Sequence, residues 1–230
     1  MKKVSLLVLL AALGLMVTSV AMAASITVDP NINWVSAPLI PFNPSPENVF
    51  VDMGGIPLNL LRFDAATQSE IPYIFPDDPG YGGMLLGDGH QLIGDGVGQV
   101  ICDYDGVPDS YLSDVWISLS GNVLDTYTEV PNGGGIHWIG QPFDHLTDFE
   151  AIQVTDGTQT VSIRTAVETN GWLNGLWTRY DGTVGVDSEV VVGFIDQGAQ
   201  EWYLSPGYCY KLVTKKDNLA LIIPTTEYVP

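Results

Sequence analysis

The sequence predicts a mainly β protein made of two tandem β-rich, sandwich- or barrel-like units with short helical turns. Two observations carry the fold class. Twenty-five glycines and fifteen prolines in 230 residues interrupt the apolar runs every few positions, and no long helical periodicity survives beyond the N-terminal segment. Short strands joined by turns satisfy both. A third observation divides the chain: Ile32-Asn33-Trp34-Val35-Ser36-Ala37-Pro38-Leu39 is answered by Ile136-His137-Trp138-Ile139-Gly140-Gln141-Pro142-Phe143. Further on, Leu61-Arg62-Phe63-Asp64 is answered by Thr178-Arg179-Tyr180-Asp181, and Gly89–Leu92 by Gly207–Tyr210, in the same order.

Taken from the start, Lys2 and Lys3 precede an apolar run from Leu6 to Val17 and the small-x-small triplet Ala21-Met22-Ala23. That layout predicts a secretory signal over residues 1–23. The run is shorter than the roughly 20 residues a bilayer span needs, and polar residues follow it, so cleavage is expected rather than anchoring. The mature chain then divides into units 24–125 and 126–230 and is secreted or held at the cell surface, without a membrane span.

Within the units, alternation places Ile32 and Trp34 on one strand face and Asn33 and Val35 on the other, with Ile136 and Trp138 repeating the arrangement. Trp34, Trp116 and Trp138 are expected to anchor the core. Val115–Leu119 echoes the first Trp strand and is expected to bridge the units. The offset between matches grows from 104 residues (Trp34 to Trp138) to 117 (Arg62 to Arg179), which places an insertion near Thr155–Asn170. Ser45-Pro46-Glu47 reads as a helix start. Thr147-Asp148-Phe149-Glu150 has capping-box spacing, and Ser162–Thr169 sets Ile163, Ala166 and Val167 on one helical face before Gly171.

Twenty-seven acidic residues against eight Lys plus Arg give a formal net charge of −19, and loss of Lys2 and Lys3 takes it to −21. Nucleic acid and anionic lipid need a positive field and are excluded as partners. An extracellular glycan or another surface protein remains. Cys102 and Cys209 are the two cysteines of the chain. An exported chain keeps disulfides, so they are expected to pair with each other. Without neighbouring Cys or His they form no metal-ligand set.

In motif order the chain resembles a group of small secreted bacterial proteins, common among Armatimonadota and related lineages. These carry tandem units of the form W-[IV]-S-x-P, R-[WFY]-D-x-x-T-Q-S and L-L-x-G-x-G-Y-W-L, then a second W-[IV]-G-x-P-[FY]-D-H and a closing D-N-L-A-L-I-I-P. Here those stretches are Trp34–Pro38, Arg62–Ser69, Leu85–Leu92, Trp138–His145 and Asp217–Pro224. The resemblance covers nearly the whole mature chain and implies no activity. Where the pattern has Gly-Tyr-Trp-Leu, this chain has Gly89-His90-Gln91-Leu92, so an aromatic pair is missing from the first copy.

The repeated charges Arg62 with Asp64 and Arg179 with Asp181 stand two apart on a strand, on one face, and are expected to pair or to fix a neighbouring loop. His90, His137 and His145 lack metal-ligand spacing and are expected at the surface. Asp103, Asp105 and Asp109 in Asp103-Tyr104-Asp105-Gly106-Val107-Pro108-Asp109 resemble part of a calcium loop of thrombospondin type 3 and related secreted repeats, the one cofactor the sequence suggests. Trp172, Trp177 and Trp202 lie in Gly-flanked, less regular sequence and are the candidates for a sugar-stacking surface. With no G-x-S-x-G elbow and no reactive Cys motif, the expectation is a non-catalytic exported structural or interaction module. A carbohydrate-binding module is one alternative. A secreted glycoside hydrolase using an Asp/Glu pair 5 to 10 Å apart is the other.

Overall fold

The computed structural model describes residues 22–28, 32–37, 40–41, 45–46, 60–74, 78, 81–85, 87–93, 100–107, 114–119, 134–180 and 189–229. The protein is mainly β. The first half supplies β1 (Met22–Val28), β2 (Ile32–Ser36), β3 (Ile40–Pro41), β4 (Leu60–Asp64), β5 (Ser69–Pro72), β6 (Gly89–Ile93), β7 (Val100–Val107) and β8 (Val115–Leu119). The second supplies β9 (Gly135–Gly140), β10 (Thr147–Asp148), β11 (Gln153–Thr155), β12 (Thr160–Ser162), β13 (Leu176–Tyr180), β14 (Glu189–Gly193), β15 (Tyr203–Leu204), β16 (Cys209–Thr214) and β17 (Leu219–Ile223). Among the described residues no helix is long and apolar enough to cross a membrane.

The two halves repeat one strand order. The first-half sheet runs β2-β6-β4-β5 and the second-half sheet β9-β16-β13-β14, so exchanging β2 for β9, β6 for β16, β4 for β13 and β5 for β14 turns one into the other. Trp34 lies opposite Gln91 and Trp138 opposite Lys211. Leu61 also lies opposite Gln91, and Thr178 opposite Lys211. Trp34 therefore corresponds to Trp138 and Arg62 to Arg179, as the sequence match proposed. Gln91, however, corresponds to Lys211, so the match of Gly89 with Gly207 is two residues out of phase. The counterpart of Gly207 (φ 79°) is Gly87 (φ 83°). Both occupy the left-handed turn before the strand, where a side chain is strained.

The sheets meet at a seam that is the same from either side. Ser36 N–H donates to the Gly207 carbonyl at 2.9 Å and Gly140 N–H to the Gly87 carbonyl at 2.8 Å. Val35 bridges Tyr208, and Ile139 bridges Asp88. Each contact becomes the other when the halves are exchanged. Trp34 and Trp138 pack beside it with centroids 5.2 Å apart and planes tilted by 31°. The approach leaves no room for side chains: a Cβ on Gly140 would run into Ser36 and lie 2.6 Å from the Asp88 carbonyl oxygen, and one on Gly89 would run into Cys209 Sγ.

The T-Q-S stretch of the first unit belongs to the same junction. Asp64 closes the β4–β5 turn by accepting from Ala66 N–H and Thr67 Oγ1, both at 2.9 Å. Gln68, at φ 51°, then reaches across: Ile136 N–H donates to its Oε1 at 2.8 Å, and its Nε2 donates to the Ile136 and Ala65 carbonyls. Gln68→Ala leaves Ile136 N–H without this acceptor and is expected to cost about 1 to 2 kcal/mol in urea unfolding.

β8, the strand expected to bridge the units, pairs with β17 so that Ile117 faces Leu221, at the edge of a sheet otherwise built from second-half strands. Through Leu119 it joins the core formed by Phe149, Trp177, Phe194, Tyr210 and Leu221. β11 and β12 form a hairpin on the other edge of β17, with β12 inside the Thr155–Asn170 segment predicted as an insertion and β11 leading into it. Ser162 Oγ accepts from Thr165 N–H at 3.2 Å and starts the following turn, of which Thr165–Thr169 is π-helical. Ile163 and Ala166 are buried there. The 3-10 turn Phe149–Ala151 is capped by Asp148, whose side chain accepts from Glu150 N–H, rather than by Thr147, whose buried hydroxyl accepts from Gln141 Nε2. Of the helix start expected at Ser45-Pro46-Glu47, Glu47 lies outside the described residues.

Three expectations are corrected. Trp116 is 63% exposed, because it lies on the outward face of edge strand β8. Trp138 is half-buried rather than a closed core anchor. His90 and His137 are buried, not at the surface, because theirs is the packed side of β6 and β9, with Val35 opposite His90 and Leu212 opposite His137 both buried; alternation within one strand does not reveal which side is packed.

Candidate functional site

Of the three tryptophans proposed as a stacking surface, Trp172 and Trp177 are core residues. Trp177 packs edge-on against Phe149 at 4.8 Å, and Lys216 Nζ sits 4.6 Å over the Trp172 ring. Both follow Gly171 or Gly175, whose turns fold their rings inward. Trp202 remains open, at 37% exposure.

Trp202 borders a groove of about 550 Å³ lined by Asp148, Glu150, Arg164, Ile195, Asp196 and Tyr228 as well. Local structure fixes each wall. Phe149 N–H donates to the Trp202 carbonyl at 2.9 Å, and Tyr228 N–H to the Leu146 carbonyl at 2.8 Å. Trp202 Nε1 donates to Tyr228 Oη at 2.7 Å, and Tyr203 stacks on Tyr228 with centroids 6.0 Å apart. Arg164 stands among the carboxylates. Its Nη1 donates to Glu168 at 2.9 Å and Asp196 at 3.1 Å, and its Nη2 to Glu150 at 2.6 Å and Asp196 at 3.3 Å. The guanidinium also lies 4.2 Å from the Phe194 ring. Hydrogen bonds from Arg164 hold Asp196 below the usual carboxylate range against a smaller burial effect.

Comparison with known proteins finds no matching family model, no matching curated protein and no matching solved structure. Chemistry must therefore be read from the groove itself. Arg164 spends both terminal nitrogens on carboxylates, so the groove offers surplus acceptor oxygens, one aromatic face and one phenol. A general acid needs a carboxyl raised toward the working pH, and Asp196 is displaced the other way. Asp88 is raised, to about 6, by burial of its carboxyl against the opposing pull of Arg62, although the residue as a whole keeps solvent contact. It lines neither this groove nor the one described below.

The repeated arginines serve the fold. Arg179 Nη2 and Nε donate to the two carboxylate oxygens of Glu201 at 2.8 and 3.2 Å, and its guanidinium lies 4.2 Å from the Tyr208 ring. Glu201 thus takes the part assigned to Asp181, which lies outside the described residues. Arg62 lies 5.8 Å from the Tyr81 ring. The Tyr81 hydroxyl in turn bonds His90 Nδ1 at 2.7 Å.

Cys209 is a buried free thiol, and burial raises its pKa well above the ordinary value. The expected bridge to Cys102 is not observed; the Cys102 side chain lies outside the described residues. Asp103 and Asp105 fall on β7 with side chains outside the described set, and Asp109 lies outside it altogether. Among the described residues no group of three His, Cys, Asp or Glu is placed to hold a metal ion.

Sequence reasoning singled out Trp202 but none of the residues that surround it. Arg164 and Glu168 stand at i, i+4 within the predicted helical segment Ser162–Thr169, a spacing that suits an ion pair. Asp196 and Tyr228 come from distant segments, and nothing local marks them.

Proposed function

We propose that this chain is a non-catalytic, exported interaction module that holds an extracellular glycan in the Trp202 groove. The observation that carries this reading is the exposed indole of Trp202, fixed in orientation by Tyr228 Oη and bordered by carboxylates that Arg164 holds in place. Sugar rings offer a C–H face for stacking on such an indole and hydroxyl donors for the surplus oxygens, and a pre-ordered rim loses little side-chain entropy on binding. Lysine 2 and 3 with the apolar run after them support export, and the motif order supports membership of the tandem-repeat secreted group. The hydrolase alternative fits less well, since Arg164 holds Asp196 below the usual carboxylate range, away from the raised value a general acid needs.

Affinity electrophoresis against soluble polysaccharides tests the reading. The mature protein is expected to be retarded by at least one of them, and Trp202→Ala to be retarded clearly less by that polysaccharide, at a stability cost of about 1 kcal/mol for the lost indole hydrogen bond. Equal retardation of both proteins, or release of reducing ends from any polysaccharide, would contradict it.

A further inference from the structure

A second groove, of about 380 Å³, opens where the two sheets meet, lined by Phe63, Gln68, Glu70, Ile136, Trp138 and Lys211. Its floor is aromatic. Phe63 stacks on Trp138 with centroids 5.4 Å apart and planes 27° apart, and the buried Trp34 backs Trp138 at 5.2 Å. The rim follows from strand register, since Phe63 lies opposite Glu70 on β5 and Trp138 opposite Lys211 on β16. Directly opposed residues share a sheet face, so each aromatic ring has one charged neighbour beside it. Gln68 is committed by three hydrogen bonds and forms a fixed wall. Among the described residues neither the Glu70 carboxylate nor the Lys211 ammonium makes a hydrogen bond or an ion pair.

We propose that this seam groove is a second saccharide site, built jointly by the two halves and suited to a neutral sugar. A flat apolar floor takes the C–H face of a pyranose ring, the free Glu70 carboxylate accepts from a hydroxyl, and the free Lys211 ammonium donates to one. One negative and one positive group leave the rim without net charge. That distinguishes it from the acceptor-rich Trp202 groove and disfavours a charged ligand. The volume lies within the roughly 300 to 1,000 Å³ typical of small-ligand pockets. The site exists only when the halves are assembled, because Phe63 and Glu70 come from one and Trp138 and Lys211 from the other.

The test uses amide and indole NMR shifts of the full mature chain titrated with cellohexaose, laminarihexaose, mannohexaose and xylohexaose. Glu70→Gln and Lys211→Gln serve as variants, being rim changes that leave the packed rings alone. At least one oligosaccharide is expected to shift the Trp138 indole and the Glu70 and Lys211 amides. Each rim variant should weaken that response about tenfold with an unchanged unfolding midpoint, and Trp202→Ala should leave it intact. Shifts confined to the Trp202 groove would overturn the seam site and leave the proposed function standing. Equal affinity in wild type and both rim variants would overturn it too, and no response at either groove would count against both.

Discussion

Lowering the pH from 7 to 5 is expected to cost the fold about 4 kcal/mol through two buried histidines. His90 is held neutral with its pKa lowered to about 3, by burial first and by Arg62 second. Burial lowers His137 to about 4 against the opposing attraction of Asp217. Both have an ordinary value of 6.5, so the unfolded chain takes up protons that the folded chain refuses. Stability from each is full above 6.5 and is lost as the pH falls from there toward the folded value. At pH 5 the loss is about 2 kcal/mol per histidine. Asp88 works in the opposite direction: raised to about 6, it favours the fold as it protonates and offsets part of the fall. Urea denaturation at pH 7 and pH 5 measures the sum. His90→Gln, which keeps an acceptor for the Tyr81 hydroxyl, should remove roughly half of the histidine contribution. An unfolding midpoint that does not move between these pH values would contradict the buried, neutral assignment.

Gly140→Val is expected to cost about 3 kcal/mol or more. Overpacking usually costs 1 to 3 kcal/mol, and here the obstacles are the Ser36 side chain and the Asp88 carbonyl oxygen at 2.6 Å. Backbone yields less than a side-chain tip. Gly157→Ala is the control, since it has φ +82° and nothing within 4 Å of an added Cβ, so it carries only the left-handed strain of about 1 to 2 kcal/mol. Gly89→Ala offers a cross-check from the other half of the seam. Its new methyl meets Cys209 Sγ, and Cys209→Ala in the same chain should recover part of the loss, an interaction energy a double-mutant cycle would read. If Gly140→Val and Gly157→Ala melted alike, the seam would be looser than described.

The mainly β class was legible because glycine and proline punctuate the whole chain, and the repeat was legible because Trp34 with Trp138 and Arg62 with Arg179 occupy matching strands. The phase of β6 against β16 was not. Gly89 and Gly207 look alike as letters, but Gly87 is the residue that shares the left-handed turn. Burial of His90 and His137 was hidden for a related reason: one strand's alternation separates two faces but does not say which of them is packed. Trp172, Trp177 and Trp202 share a Gly-flanked or irregular setting, yet only Trp202 stays open, because the Phe149 turn and the Tyr228 segment hold it at the groove edge. Contacts across 26 residues, as between Trp202 and Tyr228, leave no periodic trace in the chain.

Native-state hydrogen exchange at two amides tests most directly whether the halves form one body around a shared seam. Ser36 N–H and Gly140 N–H each bond a turn carbonyl of the opposite half. If the seam holds the halves together, both amides exchange only through global unfolding, with the same free energy and denaturant dependence as the central amides of β6 and β16. Exchange at Ser36 and Gly140 through a small local opening, while β6 and β16 stay protected, would mean that the sheets fold independently, and would contradict the account.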